Sequence, residues 1–147
     1  MTYPEPAVAE LIDRLTIPFQ IDNTVDANAG LLEKVRHVWT PDLRVLESDG
    51  NELYRWNGYL PPEEFAAQLL VAAGQARLRR KEFGPARELF EEALRRFPTA
   101  FVAPEAQYFV AVTRYRATGE SSELLKGWHR LETRYPQTEW VAKQDFH

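Results

Sequence analysis

Asp22, Asn23, Asp26 and Asn28 bring four oxygen-bearing side chains into one short stretch, and hard cations take several such ligands. The stretch lacks the fixed spacing and the glycine of a calcium loop. Asn and Asp are also what turns and helix caps prefer, so it reads as a turn. His37, beside Val38 and Trp39, would be a general base if a nucleophile lay in reach. None does, and it reads as a surface or capping histidine at a helix end. His129 and His147 are too far away in sequence to form a recognisable set with it. Glu63 and Glu64 are adjacent, so on a helix they point in different directions and make a poor acid–base pair. The chain has no cysteine, no phosphate-binding glycine loop, no His-Glu-x-x-His and no nucleophile elbow. No metal and no cofactor are therefore expected, and the balance is against an enzyme.

Binding chemistry is better represented. Arg77, Arg79, Arg80 and Lys81 form a basic run that could receive an acidic peptide terminus or nucleic acid. Glu82, Glu88, Glu91 and Glu92 offset it and Arg87, Arg95 and Arg96, which favours a solvated helix end with cations near the negative pole of the dipole. The aromatic residues Tyr108, Phe109, Tyr115, Trp128 and Tyr135 recur at helical spacing and read mainly as core. Arg77, Arg80, Arg114 and Tyr115 are the candidates for lining a helical groove, since neighbouring positions such as Arg114 and Tyr115 face opposite sides.

The elements that must position these residues follow from periodicity. Ala7, Leu11, Ile12 and Leu15 mark a short amphipathic helix after Pro4 and Pro6. Ile17, Phe19 and Ile21 alternate with polar residues and predict a strand with one buried face. Leu31, Leu32, Val35 and Val38 predict a short helix delivering the chain to Trp39. Leu43, Val45 and Glu47 begin a partly alternating strand; Asp49 and Gly50 supply the positive φ angles of a tight turn, and Glu52 to Trp56 pairs back antiparallel. Pro61 and Pro62 stop that strand and open a helix with Glu63 and Glu64 at its positive pole. From Pro62 onward the periodicity is almost wholly helical. Phe83-Gly84-Pro85 starts one helix, Gly119 caps the end of another and is followed by Ser121 and Ser122 as capping serines of the next, and Gln137 to Asp145 predicts a last short helix whose Trp140 and Val141 cover the end.

At 147 residues and 44% hydrophobic content the chain can bury the core of one or two small domains. A net charge of -4 with 27% charged residues excludes nothing but a strongly basic nucleic-acid binder. No run of about eighteen apolar residues is present to span a membrane. MTYPEPAVAE lacks a positive n-region and an apolar h-region, so no signal peptide is expected and the cytoplasm is the default compartment.

Thr40-Pro41, Asp49-Gly50 and Gly58 to Phe65 stand in the order and spacing of the C-terminal half of a thioredoxin-like domain, and the first half of the chain resembles that family. There a proline, usually cis, opens the penultimate strand, and a hairpin leads to a final helix. The resemblance implies that Ile17 to Asn23 is the preceding parallel strand, Asn28 to Arg36 the helix between, and Pro4 to Leu15 the end of the helix that begins at the active-site cysteines. The family's Cys-x-x-Cys unit should lie upstream of Tyr3, and its strand would sit between Ile17 and Leu43. Thiolate exchange needs cysteine thiols, and this chain has no cysteine. The family's Pro loop also binds extended peptide, which makes Trp39, Thr40 and Pro41 peptide-loop candidates.

Leu70, Ala73, Gly74 and Arg77, then Ala86, Phe90, Ala93 and Pro98, resemble a tetratricopeptide repeat, with small residues where paired helices cross closely. Tyr108, Ala111, Val112 and Tyr115, then Leu124, Trp128, Leu131 and Pro136, form a degenerate second copy. The expected architecture is an α/β piece at 1–66 with an incomplete thioredoxin-like sheet of about three strands. All-α hairpins of tetratricopeptide type follow at 67–147, sharing the helix that starts near Pro62. The expected role is a non-catalytic scaffold or protein-interaction protein with a protein or peptide partner and neither nucleic acid nor membrane. The alternatives are the C-terminal portion of a thiol-disulfide oxidoreductase whose cysteine-bearing segment is missing from this chain, and a structural protein that forms homo-oligomers through an exposed sheet edge.

Overall fold

A computed structural model describes residues 4–144. In chain order these form helix α1 (Pro6–Leu15), a 3-10 turn (Asp26–Asn28), short helix α2 (Ala29–Lys34), and strands β1 (Asp42–Leu46) and β2 (Glu52–Asn57). Helices α3 (Pro62–Arg79), α4 (Phe83–Arg96), α5 (Ala103–Thr118), α6 (Ser121–Arg134) and α7 (Glu139–Ala142) follow. Helix α3 is the centre of the molecule, because α1, β1, β2, α4 and α5 all pack on it. Its sequence explains why. Phe65, Ala66, Ala67, Leu69, Leu70, Val71, Ala72 and Gly74 leave no wholly polar stripe over its middle, and all are buried. A helix apolar on every side must be covered on every side.

Small residues set how closely the hairpins close. A Cβ built on Gly74 would lie 2.6 Å from Cε1 of the fully buried Phe90, so α3 and α4 meet at a position only glycine allows. The second hairpin also closes on small residues, with Gly127 of α6 against Ala111 of α5. Three residues join α3 to α4, and two join α5 to α6 through Gly119, whose φ of 78° gives the left-handed helix ending. Consecutive helices therefore run antiparallel. Tyr108, Phe109, Trp128 and Trp140 form a ring cluster beyond Phe90, with Phe90 and Phe109 stacked at 5.7 Å and Trp140 5.2 Å from Tyr108.

The two strands pair antiparallel, with Leu43 opposite Trp56 and Val45 opposite Tyr54, and a bulge falls between Val45 and Leu46. A two-stranded ribbon is marginal alone. Here Trp56 meets Phe65 of α3 edge-on at 5.9 Å, and Leu43 and Leu60 join the same core. Only Gly50 of the turn has positive φ; Asp49 instead accepts a hydrogen bond from the Asn51 amide at 2.9 Å.

Several expectations are corrected. Ile17 to Asn23 is not a strand, and the described residues hold a two-stranded sheet instead of about three strands. Ile17 and Phe19 are 97% and 83% exposed, since alternation makes a strand only where a neighbour offers backbone partners, and none reaches this segment. In α1 the buried face is Val8 and Leu11 with Ile12 and Leu15 beside it, while Ala7 is exposed. Neither Ser121 nor Ser122 caps α6, which starts at Ser121 after Glu120 with no side-chain cap. The last helix is shorter than expected, and its Trp140 lies on Tyr108 and Phe109; Asp145 and His147 fall outside the described residues.

Replacing Gly74 with Ala should lower the thermal midpoint, although alanine favours a helix by about 1 kcal/mol. The clash with the enclosed Phe90 ring is worth about 1–3 kcal/mol in the other direction. A midpoint above that of the parent, measured by circular dichroism, would show that the helix pair does not close on this glycine.

Candidate functional site

The loop before β1 is held by its own polar residues. Thr40 Oγ1 accepts a hydrogen bond from Asn23 Nδ2 at 3.0 Å and lies 3.1 Å from His37 Nε2. The Thr40–Pro41 peptide is cis. These contacts leave Trp39 70% exposed and Val38 83% exposed, on the same loop system as the exposed Ile17 and Phe19. The candidate loop of Trp39, Thr40 and Pro41 thus presents an aromatic side chain to solvent. The Asp22 carboxylate accepts from the amide and hydroxyl of Thr24, which hold it below its ordinary range, so the Asp/Asn stretch is a turn satisfied from within. Among the described residues no acidic or histidine cluster could hold a metal ion.

Behind the loop, β1 has a free edge. Gly58 N donates to Pro41 O, which makes that pair the first hydrogen-bonded rung. Antiparallel rungs alternate, so Leu43 and Val45 bond to β2 while the backbone groups of Asp42, Arg44 and Leu46 face away from it. Side chains brace this edge. Asp42 is paired with Arg44 at 2.8 Å and Arg55 at 3.1 Å, and Arg44 also reaches the Val35 carbonyl at 2.6 Å. Burial opposes ionisation of Asp42, yet the Arg44 hydrogen bond and the two guanidinium charges outweigh it and hold the carboxyl below its ordinary range.

The helical candidates Arg77, Arg80, Arg114 and Tyr115 are not brought together. Arg77 pairs with Glu82, and Arg80 reaches Glu47 after β1. Arg77 lines a shallow cleft between α1, α3 and α4, whereas Arg114 lines another between α4, α5 and α6 and pairs with Glu91 at 3.0 Å. Tyr115 lines neither.

A group that sequence reasoning missed lies between β2, α3 and α5. The Tyr54 hydroxyl accepts from Gln68 Nε2 at 3.0 Å and donates to the Glu105 carboxylate at 3.3 Å, and Gln75 Nε2 donates to the same carboxylate at 3.0 Å. Burial, then the charge of Glu105, pushes the Tyr54 phenol well above its ordinary value. Burial raises Glu105 as well, against the hydrogen bonds of Gln75 and Tyr54. The available signal was Gln68 and Gln75, two turns apart on one face of an otherwise apolar helix. With both oxygens hydrogen-bonded, this carboxylate joins three elements.

Residues 4–73 match the family described as a thioredoxin-like domain, a stretch running from before α1 into α3. The match supports a thioredoxin-like fold for that part of the chain. No curated protein and no solved structure matches the chain.

Because Glu105 titrates above its ordinary value of 4.5 in the folded protein, its charged form is disfavoured there. Its stability penalty is absent below the unfolded pKa and grows as pH rises through the folded one. The Glu105→Gln variant keeps an acceptor and removes that titration, so its thermal midpoint should gain on the parent as pH rises from 4 to 8. Parallel melting curves across that range would contradict the assignment.

Proposed function

We propose that the protein is a non-catalytic interaction module. Its thioredoxin-like portion, at about residues 1–66, presents the Trp39-Thr40-Pro41 loop and the open edge of β1 to an extended peptide, and a helical array of tetratricopeptide type at 67–147 carries it. The observation that supports this most is the pairing of exposed apolar side chains, Val38 and Trp39, with an unpaired strand edge immediately after them. An added strand would bond to the outward backbone groups of Asp42, Arg44 and Leu46, while Trp39 supplies a large contact at low entropic cost. The close crossing at Gly74, one of the small residues of the first repeat, supports the tetratricopeptide reading. Thiol exchange would need cysteines this sequence does not contain.

The same edge favours a second reading, self-association, since an open strand can pair with its copy. Light scattering that reports a monomer across a wide concentration range would remove it.

A panel of extended peptides with alternating apolar residues should yield binders that slow hydrogen exchange at the amides of Asp42, Arg44 and Leu46. Trp39→Ala should cost such a complex at least about 2 kcal/mol without changing the fold. Bound peptides that leave those three amides unprotected, or indifference to the Trp39 change, would rule the reading out.

A further inference from the structure

The cleft between α4, α5 and α6 lies away from the loop, and its chemistry is specific. It has a volume of about 330 Å³, within the range of ligand-binding clefts. Leu94 and Val110 form an apolar floor, and Arg95, Arg130 and Arg134 rise around it from two helices. Arg114 is already committed to Glu91, the cleft's one acidic lining residue. Arg95 and Arg130 make no hydrogen bond or ion pair among the described residues, and Arg134 only overlies the Tyr135 ring at 5.6 Å. In a chain of net charge -4 this is a concentrated positive rim.

The second observation is Gln107. Its side chain lines the cleft, the residue is only 4% exposed, and its carboxamide has no hydrogen-bond partner among the described residues. Its polar atoms are not sealed off by protein, so they open onto the cleft and are available to a ligand.

We propose that this cleft binds an acidic peptide segment, with Gln107 contacting the peptide backbone, Leu94 and Val110 receiving one apolar side chain, and Arg95, Arg130 and Arg134 pairing with carboxylates. The chemistry selects a peptide over a bare anion. A carboxamide carries both a donor and an acceptor, which a peptide bond matches and a phosphate, offering mainly acceptors, does not. Guanidinium groups in turn fit carboxylates in planar, bidentate geometry. The apolar floor has no role toward an inorganic ion. This site goes beyond the loop reading and stands if that reading fails, because the two share no residue.

The test uses the full chain and a fluorescein-labelled Glu-Leu-Glu-Leu-Glu-Leu peptide, followed by fluorescence anisotropy. Saturable binding is expected, weakening as salt rises and absent for the Lys-Leu counterpart. The doubly reversed variant Arg130→Glu with Arg134→Glu alters exposed positions and should weaken binding at least about tenfold, equal to 1.4 kcal/mol. Gln107→Leu, similar in size and apolar, should weaken it about threefold to tenfold. The Trp39→Ala variant should bind the peptide as the parent does, which separates this site from the loop. Absence of saturable peptide binding, or binding that ignores both cleft variants, overturns the proposal. So does tripolyphosphate displacing the peptide and binding equally well to parent and Gln107→Leu, which would assign the cleft to a bare anion.

Discussion

Burial of α3 on every side is the constraint from which the rest of the arrangement follows. An eighteen-residue helix with Leu69, Leu70, Val71 and their alanine neighbours around its circumference cannot lie on a surface. The β hairpin, α1, α4 and α5 each cover part of it, and each would be exposed or marginal without it. The hairpin has only two strands, yet Trp56 and Leu43 reach the core because Phe65 stands where β2 passes over the first turn of α3. On the other flank, Gly74 lets Phe90 approach so closely that the helical pair and the hairpin share one hydrophobic cluster.

Polar contacts fasten the same elements at their margins. Glu92 of α4 holds Arg14 of α1 and Arg96 at 2.7 Å each, and Arg96 reaches on to Glu10. Burial opposes the charge on Glu92, but the two arginine hydrogen bonds and their charges prevail and keep the carboxyl below its ordinary range. The Arg80–Glu47 pair and the Tyr54–Glu105 contact tie the hairpin to α3 and α5. Exposed members of these networks contribute little each. Their value is directional, since they fix which face of each element meets α3. Among what remains uncovered are the outer edge of β1, the Val38–Trp39 loop and the arginine-rimmed cleft.

The long helices, the hairpin and the proline before it were legible because they depend on local signals: apolar periodicity, the Asp-Gly turn and Pro62 at a helix start. The supposed strand at Ile17 to Asn23 was misread for a physical reason. Alternation reports which side chains could share a face, and cannot report whether another strand supplies hydrogen bonds. Sequence spacing is equally silent on which clefts the helical candidates face. Helical spacing placed Arg77, Arg80, Arg114 and Tyr115 at repeat positions, but only packing decides that Arg77 and Arg114 open onto different clefts and that Arg80 turns to Glu47. Gln107 and Glu105 stood between apolar residues of α5 without any pattern to distinguish a group bonded within the protein from one open to a cleft. Their difference lies in neighbours contributed by other elements, Gln75 and Tyr54 for one and an open cleft for the other.

If α3 is shared by the sheet and the helical array, the two halves cannot open independently. Native-state hydrogen exchange across a urea series measures this most directly, because it gives an opening free energy for each amide. The amides of β2, α3 and α4 should converge on one value, the global unfolding free energy. Exchange of β2 through an opening several kcal/mol smaller, with α3 and α4 still protected, would mean that the hairpin rests on the helices without being part of their core.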